Sequence, residues 1–378
     1  MRPTWAEVSL AALRRNFRIT QDFVGPNVTV CAVVKADAYG HGAIECARAL
    51  EGEGAAWLGV TSPDEGVRLR EAGIRGRILL MTGFWRGEEE AVLEHKLTPA
   101  IGQIESLNLL DAAAARRKLG RVPVHVKLDT GMARLGVPLA QLGELLAALR
   151  ACEHIALEGV FTHLASAEVV DADDVEQQAI LFDGSVAEIV RAGFQPRLLH
   201  VANSAAIAAR RALHKNFVRP GISLYGYYLP FVSSSGRPTE RRGLDVRPVL
   251  AWKTRIIGLR DVPAGQRIGY GGAFVAEGPA RLAVLPLGYA DGLNRHLSSL
   301  GRVIVRGSYA PIVGNVSMDI TLIDVTAVAG AEIGDEVTLI GEQGTCRIDA
   351  WEHATHAHTI PYEILCAISK RVPRRYVE

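Results

Sequence analysis

The sequence predicts an α/β protein with an N-terminal (β/α)8 barrel of the TIM type and a C-terminal domain made mostly of β-strands. Through about the first 230 residues, short β-branched runs alternate with segments of helical periodicity, which is typical of βα units around a parallel sheet. A polar stretch containing glycine and proline follows, and the elements beyond it are short strands. At 378 residues the chain is also long for a single hydrophobic core.

Eight strands are predicted in the N-terminal region, and this number favours a closed barrel over an open sheet. They are Val28 to Val33, Trp57 to Val60, Arg77 to Met81, Leu97 to Ala100, Val124 to Leu128, Leu157 to Phe161, Leu198 to Val201 and Asn216 to Val218. One intervening helix is predicted to have Ser62 as its N-cap, Pro63 in its first turn and Glu65 as capping partner, and to end at Gly73. Leu139 to Leu149 and Val175 to Val190 have the apolar spacing of helices with one buried face.

The predicted barrel spans residues 11–232, and the β-domain spans residues 243–378. The segment SSSGRPTERRG joins them. Residues 1–10 have a strand-like pattern and are predicted to join the β-domain. The β-domain strands are predicted at Leu250 to Leu259, Arg281 to Leu287, Gly301 to Val305, Ile320 to Val325 and Glu336 to Ile340.

Composition narrows the possible functions. No apolar run reaches membrane-spanning length, and the first ten residues lack the basic start and apolar centre of a signal peptide, so we expect a cytoplasmic protein with no membrane partner. The five cysteines show no CxxC spacing, which argues against a disulfide framework. A net charge of +1 gives no electrostatic reason to bind nucleic acid. A small-molecule substrate is the remaining expectation.

Polar residues recur where the predicted barrel strands end. In CAVVKADAYGHG, an apolar strand ends on Lys35 and is predicted to pass through Asp37, Tyr39 and His41 into a helix. The other strand-end residues are Lys127, Arg134, His163, His200, Asn203 and Arg219. Any one of them alone can be interpreted as a surface charge or as an ordinary hydrogen-bonded polar group. Because the strand ends of a barrel converge on one rim, their recurrence at five ends indicates an active site.

Nine segments resemble one family, the bacterial alanine racemases. They are VVKADAYGHG, VKLDTGMARLG, FTHLASAE, HVANSAA, RPGISLYG, RIGYGG, GYADGL, GNVSMDI and TIPYEILC, in this order over nearly the whole chain. The resemblance implies a homodimer in which each chain has a pyridoxal 5′-phosphate barrel and a β-domain, and in which the partner chain completes each active site. It also implies interconversion of L-alanine and D-alanine, which supplies D-alanine for peptidoglycan.

The resemblance assigns the cofactor contacts. Lys35 matches the lysine that binds the cofactor covalently and becomes a base when the substrate amine displaces it. The residues implied for the phosphate are Ser204, Gly221 and Ile222, with the hydroxyls of Tyr39 and Tyr362. Taken alone, Asn203 and Ser204 are typical of an ordinary helix N-cap. Arg219 matches the arginine that faces the pyridine nitrogen, where the related basic amino acid decarboxylases have a glutamate.

The substrate contacts also follow from the resemblance. Tyr270, an ordinary turn tyrosine by position, matches the second base, which the other subunit donates and which His163 links toward Arg219. Arg134 and the backbone N–H of Met318 from the partner chain match the groups that bind the substrate carboxylate. The residues that surround the substrate and line the entrance of the site are matched by Asp319, Asn203, His200 and Tyr289.

Lys127 matches a lysine that is carbamylated in many relatives, as N6-carboxylysine, where it orients the substrate-binding arginine. A neutral lysine in the barrel interior, or an ion pair with Asp129, is the alternative. We expect carbamylation, because a buried cation beside Arg134 would otherwise add unpaired positive charge.

No metal site is expected. His353, His356 and His358 have a spacing that imitates a ligand set, but no cysteine pair or HExxH motif accompanies them, and they are predicted to be surface or interface histidines. Two other functions stay open. A cofactor-carrying barrel protein without activity is disfavoured by Tyr270 and Met318. A racemase of serine or of another amino acid is not excluded, since pocket volume depends on how Tyr362 and Tyr289 pack.

Overall fold

The computed structural model describes residues 2–240 and 243–378, and the chain divides into two compact units. The β unit consists of Met1–Ala12, Tyr39–Gly42 and Pro248–Glu378, and the barrel unit consists of Leu13–Ala38 and Ala43–Arg247. Met1 of the predicted first strand, and Arg241 and Arg242 of the predicted connection, lie outside the described residues. No helix of the described residues is long and apolar enough to cross a membrane.

The main sheet of the barrel unit is parallel and almost closed. The first strand of the chain, β1 (Thr4–Ser9), belongs to the β unit. The barrel strands that follow it are β2 (Thr29–Val33), β3 (Trp57–Val60), β4 (Arg77–Leu80), β5 (Thr98–Ile101), β6 (Val122–Asp129), β7 (Val137–Pro138), β8 (Ile155–Phe161), β9 (Leu198–His200) and β10 (Phe217–Val218). Their order is β10-β2-β3-β4-β5-β6-β8-β9, with β7 beside β6, and a parallel bridge between Asn203 and Arg219 joins the two ends of this order. The predicted eight-stranded barrel is confirmed.

Helices cover the barrel between its strands. They are Leu10–Val24, Ala43–Gly52, Pro63–Glu71, Glu89–Glu94, Ile104–Arg116, Leu142–Ala151, Asp173–Arg191 and Ser204–Ala209. Ser62 caps one of them, since its Oγ accepts a hydrogen bond from the N–H of Glu65, and Pro63 is in the first turn as predicted. The hydrogen-bond partners of the Glu65 carboxylate differ from those of the predicted cap. It accepts from the N–H groups of Thr61 and Ala36, where a capping box would use the N–H of Ser62.

The β unit holds the remaining strands. They are β11 (Leu250–Arg255), β12 (Gly258–Val262), β13 (Arg267–Ile268), β14 (Phe274–Val275), β15 (Ala280–Leu285), β16 (Arg302–Val305), β17 (Ser308–Pro311), β18 (Thr321–Asp324), β19 (Glu336–Gln343), β20 (Cys346–Ile348) and β21 (Arg374–Val377). One sheet has the order β17-β16-β19-β11-β1-β21, and another has the order β12-β15-β18. Two short helices, Ala350–His356 and Pro361–Ala367, complete the unit. The C-terminal domain is therefore mostly β, as predicted.

Two expectations for the β unit were wrong. The predicted strand Leu250 to Leu259 is two strands in different sheets. Ile256 donates its N–H to Asp335 O and Ile257 donates to Val284 O, so the chain changes its pairing partner between β11 and β12. His353 is buried and is not a surface histidine, because it lies on the inner side of the helix Ala350–His356. Burial lowers its pKa to about 4.

Candidate active site

The segment after Lys35 has an unusual backbone. Four successive residues, Ala36 to Tyr39, have φ values between 51° and 54°, in the left-handed region that L-residues rarely adopt. The sequence predicted a passage through Asp37, Tyr39 and His41 into a helix, which is confirmed, since a helix begins at Ala43, but it gave no sign of the left-handed turn that comes before. The Glu65 carboxylate accepts from Ala36 N–H at 2.6 Å, and Asp37 Oδ1 accepts from Ala43 N–H at 2.9 Å. These side chains hold the turn that follows the lysine.

Positive charge accumulates around His163 at the carboxyl ends of the barrel strands. Burial, followed by the charges of Arg219, Arg134, Lys127 and Lys35, lowers the pKa of His163 to about 3. Lys127 Nζ and Arg219 Cζ lie 5.5 Å and 5.1 Å from the centre of the Phe161 ring. The structure therefore brings the predicted strand-end cations together, and it keeps the histidine among them neutral.

Lys127 is buried and not paired with Asp129. Burial, then the charges of Arg219, Arg134 and Lys35, lowers its pKa to about 8. Asp129 Oδ1 instead accepts hydrogen bonds from the N–H groups of Gly131 and Ala133, and no ion pair within 4 Å joins it to Lys127 in residues 2–240 and 243–378. The ion-pair alternative for Lys127 is therefore wrong, and a partly neutral amine is what burial produces.

Arg219 lies deepest among these cations. It donates from Nη1 to His200 Nδ1 at 2.8 Å and from Nη2 to Thr162 O at 2.8 Å. A longer contact of 3.4 Å joins Nη2 to His163 Nδ1. Burial lowers the pKa of Arg219 to about 10, so the guanidinium still carries its charge at neutral pH. The side chain is thus a fixed, buried cation whose donors are aimed by several acceptors.

Two helical segments begin near Ser204. Asn203 caps the helix Ser204–Ala209, with its Oδ1 accepting from Ala206 N–H, so its ordinary capping role is present. Ser204 Oγ accepts from the N–H of Gly221 at 2.9 Å, and Gly221 immediately precedes the 3₁₀ turn Ile222–Tyr225. Backbone N–H groups and hydroxyls at helical starts are a favourable setting for an anion.

Three of the predicted site residues belong to the β unit: Tyr39 and Tyr362 lie beside each other, and Tyr270 is exposed. The rings of Tyr39 and Tyr362 have centroids 5.9 Å apart. Tyr270 is 76% exposed, in a turn whose neighbours Gly269 and Gly271 have φ values of 74° and 68° that favour glycine.

The loop that contains Met318 adjoins two other loops of the β unit. Asn315 donates from its side-chain amide to Tyr270 O at 3.0 Å, and Ala290 N–H donates to Met318 O at 3.1 Å. The motifs RIGYGG, GYADGL and GNVSMDI, which are separate in sequence, therefore form one surface in which Met318 is 53% exposed.

A charged cluster that the sequence did not reveal supports this surface. Asp291 is buried and accepts from both Nη atoms of Arg2 and from Gly288 N–H. Arg371 pairs with Asp319 at 2.6 Å. No periodicity or spacing marks these partners, because they come from opposite ends of the chain. Among the described residues, no group of three or more His, Cys, Asp or Glu side chains is arranged to hold a metal ion.

Comparison with known proteins gives the family. The family model described as the N-terminal domain of alanine racemase matches residues 8–229, and the model of the C-terminal domain matches residues 249–376. This chain belongs to the alanine racemase family. An alanine racemase of Geobacter sulfurreducens is 43% identical over 381 residues, covering 100% of this chain and 97% of the relative. An alanine racemase of Halothermothrix orenii is 41% identical over 377 residues, covering 99% and 97%.

Solved alanine racemase structures have the same fold. That of Streptomyces lavendulae superposes with a TM-score of 0.92 at 34% identity, covering 100% of this chain and 98% of the other. An alanine racemase of Bartonella henselae, described with covalently bound pyridoxal phosphate, superposes with a TM-score of 0.87 at 28% identity, covering 100% of both chains.

Proposed function

We propose that this chain is a racemase that interconverts L-alanine and D-alanine with pyridoxal 5′-phosphate and supplies D-alanine for peptidoglycan. The observation that carries the proposal is the cationic cluster of Lys35, Lys127, Arg134 and Arg219 around a neutral His163. The names of the relatives support the activity, and the Bartonella henselae enzyme supports the cofactor. We place the reaction in the cytoplasm, since five cysteines that form no disulfide among the described residues suit a reducing compartment.

The residues present fit this cofactor. Lys35, Arg134 and Arg219 share the region, so its positive charge suits a phosphate and the carboxylate of an amino acid. Ser204 and Gly221 would hold the phosphate at the two helical starts, together with Ile222, Tyr39 and Tyr362. When bound, the cofactor supplies an electron sink that makes the α-proton of the substrate removable.

Two bases are needed because the product is the mirror image of the substrate. Lys35 would hold the cofactor covalently, and its released amine would take or return the proton on the Cα face presented by D-alanine. The Tyr270 hydroxyl would do the same for L-alanine on the opposite face. His163 is neutral and within reach of Arg219, which suits it to link the Tyr270 hydroxyl toward that cation.

Arg219 would face the pyridine nitrogen. A guanidinium keeps its proton, so it can donate a hydrogen bond to that nitrogen without giving it a full positive charge. The electron sink is then weaker than one opposite a carboxylate, which should limit side reactions such as transamination. The buried, multiply bonded position of Arg219 supports this role.

The active protein would be a homodimer with shared sites. Tyr270 and Met318 are exposed on the β unit, so both are available to a second chain. We propose that Arg134 of one chain and the Met318 N–H of the other bind the substrate carboxylate, and that Tyr289 and Asp319 line the entrance. Each site would then use Lys35 from one chain and Tyr270 from its partner.

Lys127 would be carbamylated. The neutral fraction of its amine is raised because burial lowers its pKa to about 8, and this neutral amine would attack CO2, form an N–C bond and lose one proton, which leaves a negative carbamate beside Arg134. The protein exchanged into 13C-labelled bicarbonate should show one protein-bound carbamate signal by NMR, and Lys127→Gln should not. A wild-type spectrum without that signal would contradict the modification.

A spectrum and a substrate scan test the whole proposal. The purified protein with added cofactor should show a visible absorption band, borohydride should fix the cofactor on the peptide that contains Lys35, and racemisation should be fastest with alanine. Absence of the band or labelling of another lysine would overturn the cofactor assignment. A band without turnover would favour a non-enzymatic carrier, and faster turnover of serine would favour a serine racemase.

A further inference from the structure

A chain of buried polar side chains continues from Arg219 into the barrel interior. Arg219 Nη1 lies 2.8 Å from His200 Nδ1, and His200 Nε2 lies 2.9 Å from His125 Nδ1. His125 Nε2 lies 3.6 Å from Glu158 Oε2. The two imidazoles are fully buried, and Glu158 is 5% exposed. The reaction proposed above uses Arg219, but it gives no role to His125 or Glu158.

Counting donors fixes the tautomer of each histidine. A guanidinium has donors only, so His200 must accept at Nδ1 and carry its proton on Nε2. That Nε2–H then donates to His125 Nδ1, which leaves the proton of His125 on Nε2. Burial, the largest cause in both cases, lowers the pKa of each ring, so both are neutral at pH 7. The final N–H faces the Glu158 carboxylate.

A β-bulge in the barrel sheet places Glu158 in the protein interior. In the pairing of β6 with β8, Val124 aligns with Leu157 and His125 aligns with Gly159, so Glu158 is the extra residue of a bulge. A bulge redirects a side chain, and here it places a carboxylate opposite His125. A Cβ on Gly159 would lie 2.7 Å from His125 Nδ1, so glycine leaves the space that the ring occupies.

The Glu158 carboxylate is anchored on its other side. Arg77 donates to both of its oxygens, at 2.5 Å and 2.7 Å, and Arg197 donates to Oε1 at 2.9 Å. Burial raises the pKa of Glu158, whereas the facing imidazole of His125 and the guanidinium of Arg77 lower it, to about 2. The chain therefore ends on a fixed negative charge. His125 Nε2 makes no hydrogen bond within the described residues, and this carboxylate is the acceptor that it faces.

We propose that His125 and Glu158 are positioning residues for Arg219. Arg219 at one end of the chain and the Glu158 carboxylate at the other favour the same Nε2–H tautomer of both imidazoles, so His200 presents a fixed Nδ1 lone pair that orients the guanidinium. This inference rests on the proposed function, in which the orientation of Arg219 governs the pyridine nitrogen of the cofactor. His200 is the direct contact, and His125 and Glu158 act through it.

Three variants distinguish a role of His125 in positioning Arg219 from a role in packing the barrel interior. His125→Leu removes the acceptor for His200 Nε2–H, and His125→Asn restores an acceptor near the position of Nδ1. Phe217→Leu is the matched control, because the Phe217 ring packs 6.0 Å from His125 and 4.6 Å from His200, centroid to centroid. Histidine 15N NMR of the apoprotein reports the tautomers, and the absorption spectrum of the bound cofactor reports its surroundings.

We expect wild-type His125 and His200 to show the Nε2–H tautomer. In His125→Leu the His200 Nε2–H loses its acceptor, which should move the 15N signals of His200, shift the cofactor band and lower kcat about 10-fold with little change in KM, the size expected for one lost hydrogen bond. His125→Asn should restore the wild-type spectra, and Phe217→Leu should lower only thermal stability.

An Nδ1–H tautomer or a protonated ring in the wild-type protein would overturn the inference. So would wild-type spectra in His125→Leu, or the same band shift in Phe217→Leu. A wild-type protein that gives no cofactor band would instead contradict the proposed function, while the apoprotein tautomers would still decide whether the chain of hydrogen bonds exists.

Discussion

In the barrel unit, Arg219 and Lys127 are 4% and 6% exposed, whereas in the β unit Tyr270 and Met318 are 76% and 53% exposed. The barrel residues have their charge states set by burial and by one another, as the pKa values of Lys127 and His163 show. The backbone carbonyls of the β-unit residues accept hydrogen bonds from neighbouring loops, which hold them in place. The predicted site residues of the barrel unit are therefore buried among one another, whereas those of the β unit are exposed to solvent.

The largest expected effect comes from separating the two bases onto different chains. Lys35→Ala and Tyr270→Phe should each abolish racemisation. In an equal mixture about half of the dimers are hybrids, and each hybrid has one intact site of two, so about one quarter of wild-type activity should return. Wild type mixed with either variant calibrates the assay. Hybrid dimers that form but stay inactive would refute the shared site.

Solvent exchange assigns each base to one enantiomer. The two alanines have equal free energy in water, so racemisation rates in the two directions cannot make this assignment. In Tyr270→Phe, the Lys35 amine should still exchange the α-proton of D-alanine with deuterium, while exchange of L-alanine should fall by orders of magnitude. NMR of the α-position measures both. Rapid exchange of L-alanine in this variant would reverse the assignment.

A smaller effect is expected at Tyr362, whose ring lies beside Tyr39. Tyr362→Ala should raise kcat/KM for serine relative to alanine, by about 1 to 3 kcal/mol in discrimination, because a size limit enforced by overlap is relaxed. Tyr362→Phe keeps the ring and removes the hydroxyl, so it should weaken cofactor binding and leave the substrate ratio unchanged. A constant ratio in the alanine variant would remove Tyr362 as the gate.

The smallest effect concerns His353, a buried ionisable group of the β unit. Burial lowers its pKa to about 4 from the ordinary 6.5, so the unfolded chain binds more protons between these values. Stability is therefore lost as pH falls from 6.5 toward 4.

His353→Gln should reduce the pH dependence of the unfolding free energy in that interval by up to about 1.4 kcal/mol per pH unit. Urea unfolding at pH 7 and pH 5 measures this change. His358→Gln, at an exposed position, is the matched control, and equal changes in both variants would contradict the assignment.

The difference between the buried site residues of the barrel unit and the exposed ones of the β unit also explains which of them the sequence could predict. Lys35, Lys127, His163 and Arg219 are recognisable without a known family, because strand ends of a parallel barrel converge wherever the strands are found. Tyr270 has no such signal, since a tyrosine in a glycine-rich turn fits many surfaces, and only the resemblance selected it. The hydrogen bonds of Glu65 and the bulge at Glu158 depend on tertiary pairing, which periodicity along the chain does not encode.

The left-handed turn that follows Lys35 has a backbone that suits D-amino acids better than L-amino acids. Its four residues pay roughly 1–2 kcal/mol each because their Cβ atoms crowd the backbone, a sum comparable with the stability of a whole domain. The turn is the mirror image of an ordinary helical turn. A semisynthetic chain with D-alanine at positions 36 and 38 would therefore keep that penalty only at Asp37 and Tyr39, and these two positions would favour the enantiomer that the protein is proposed to make.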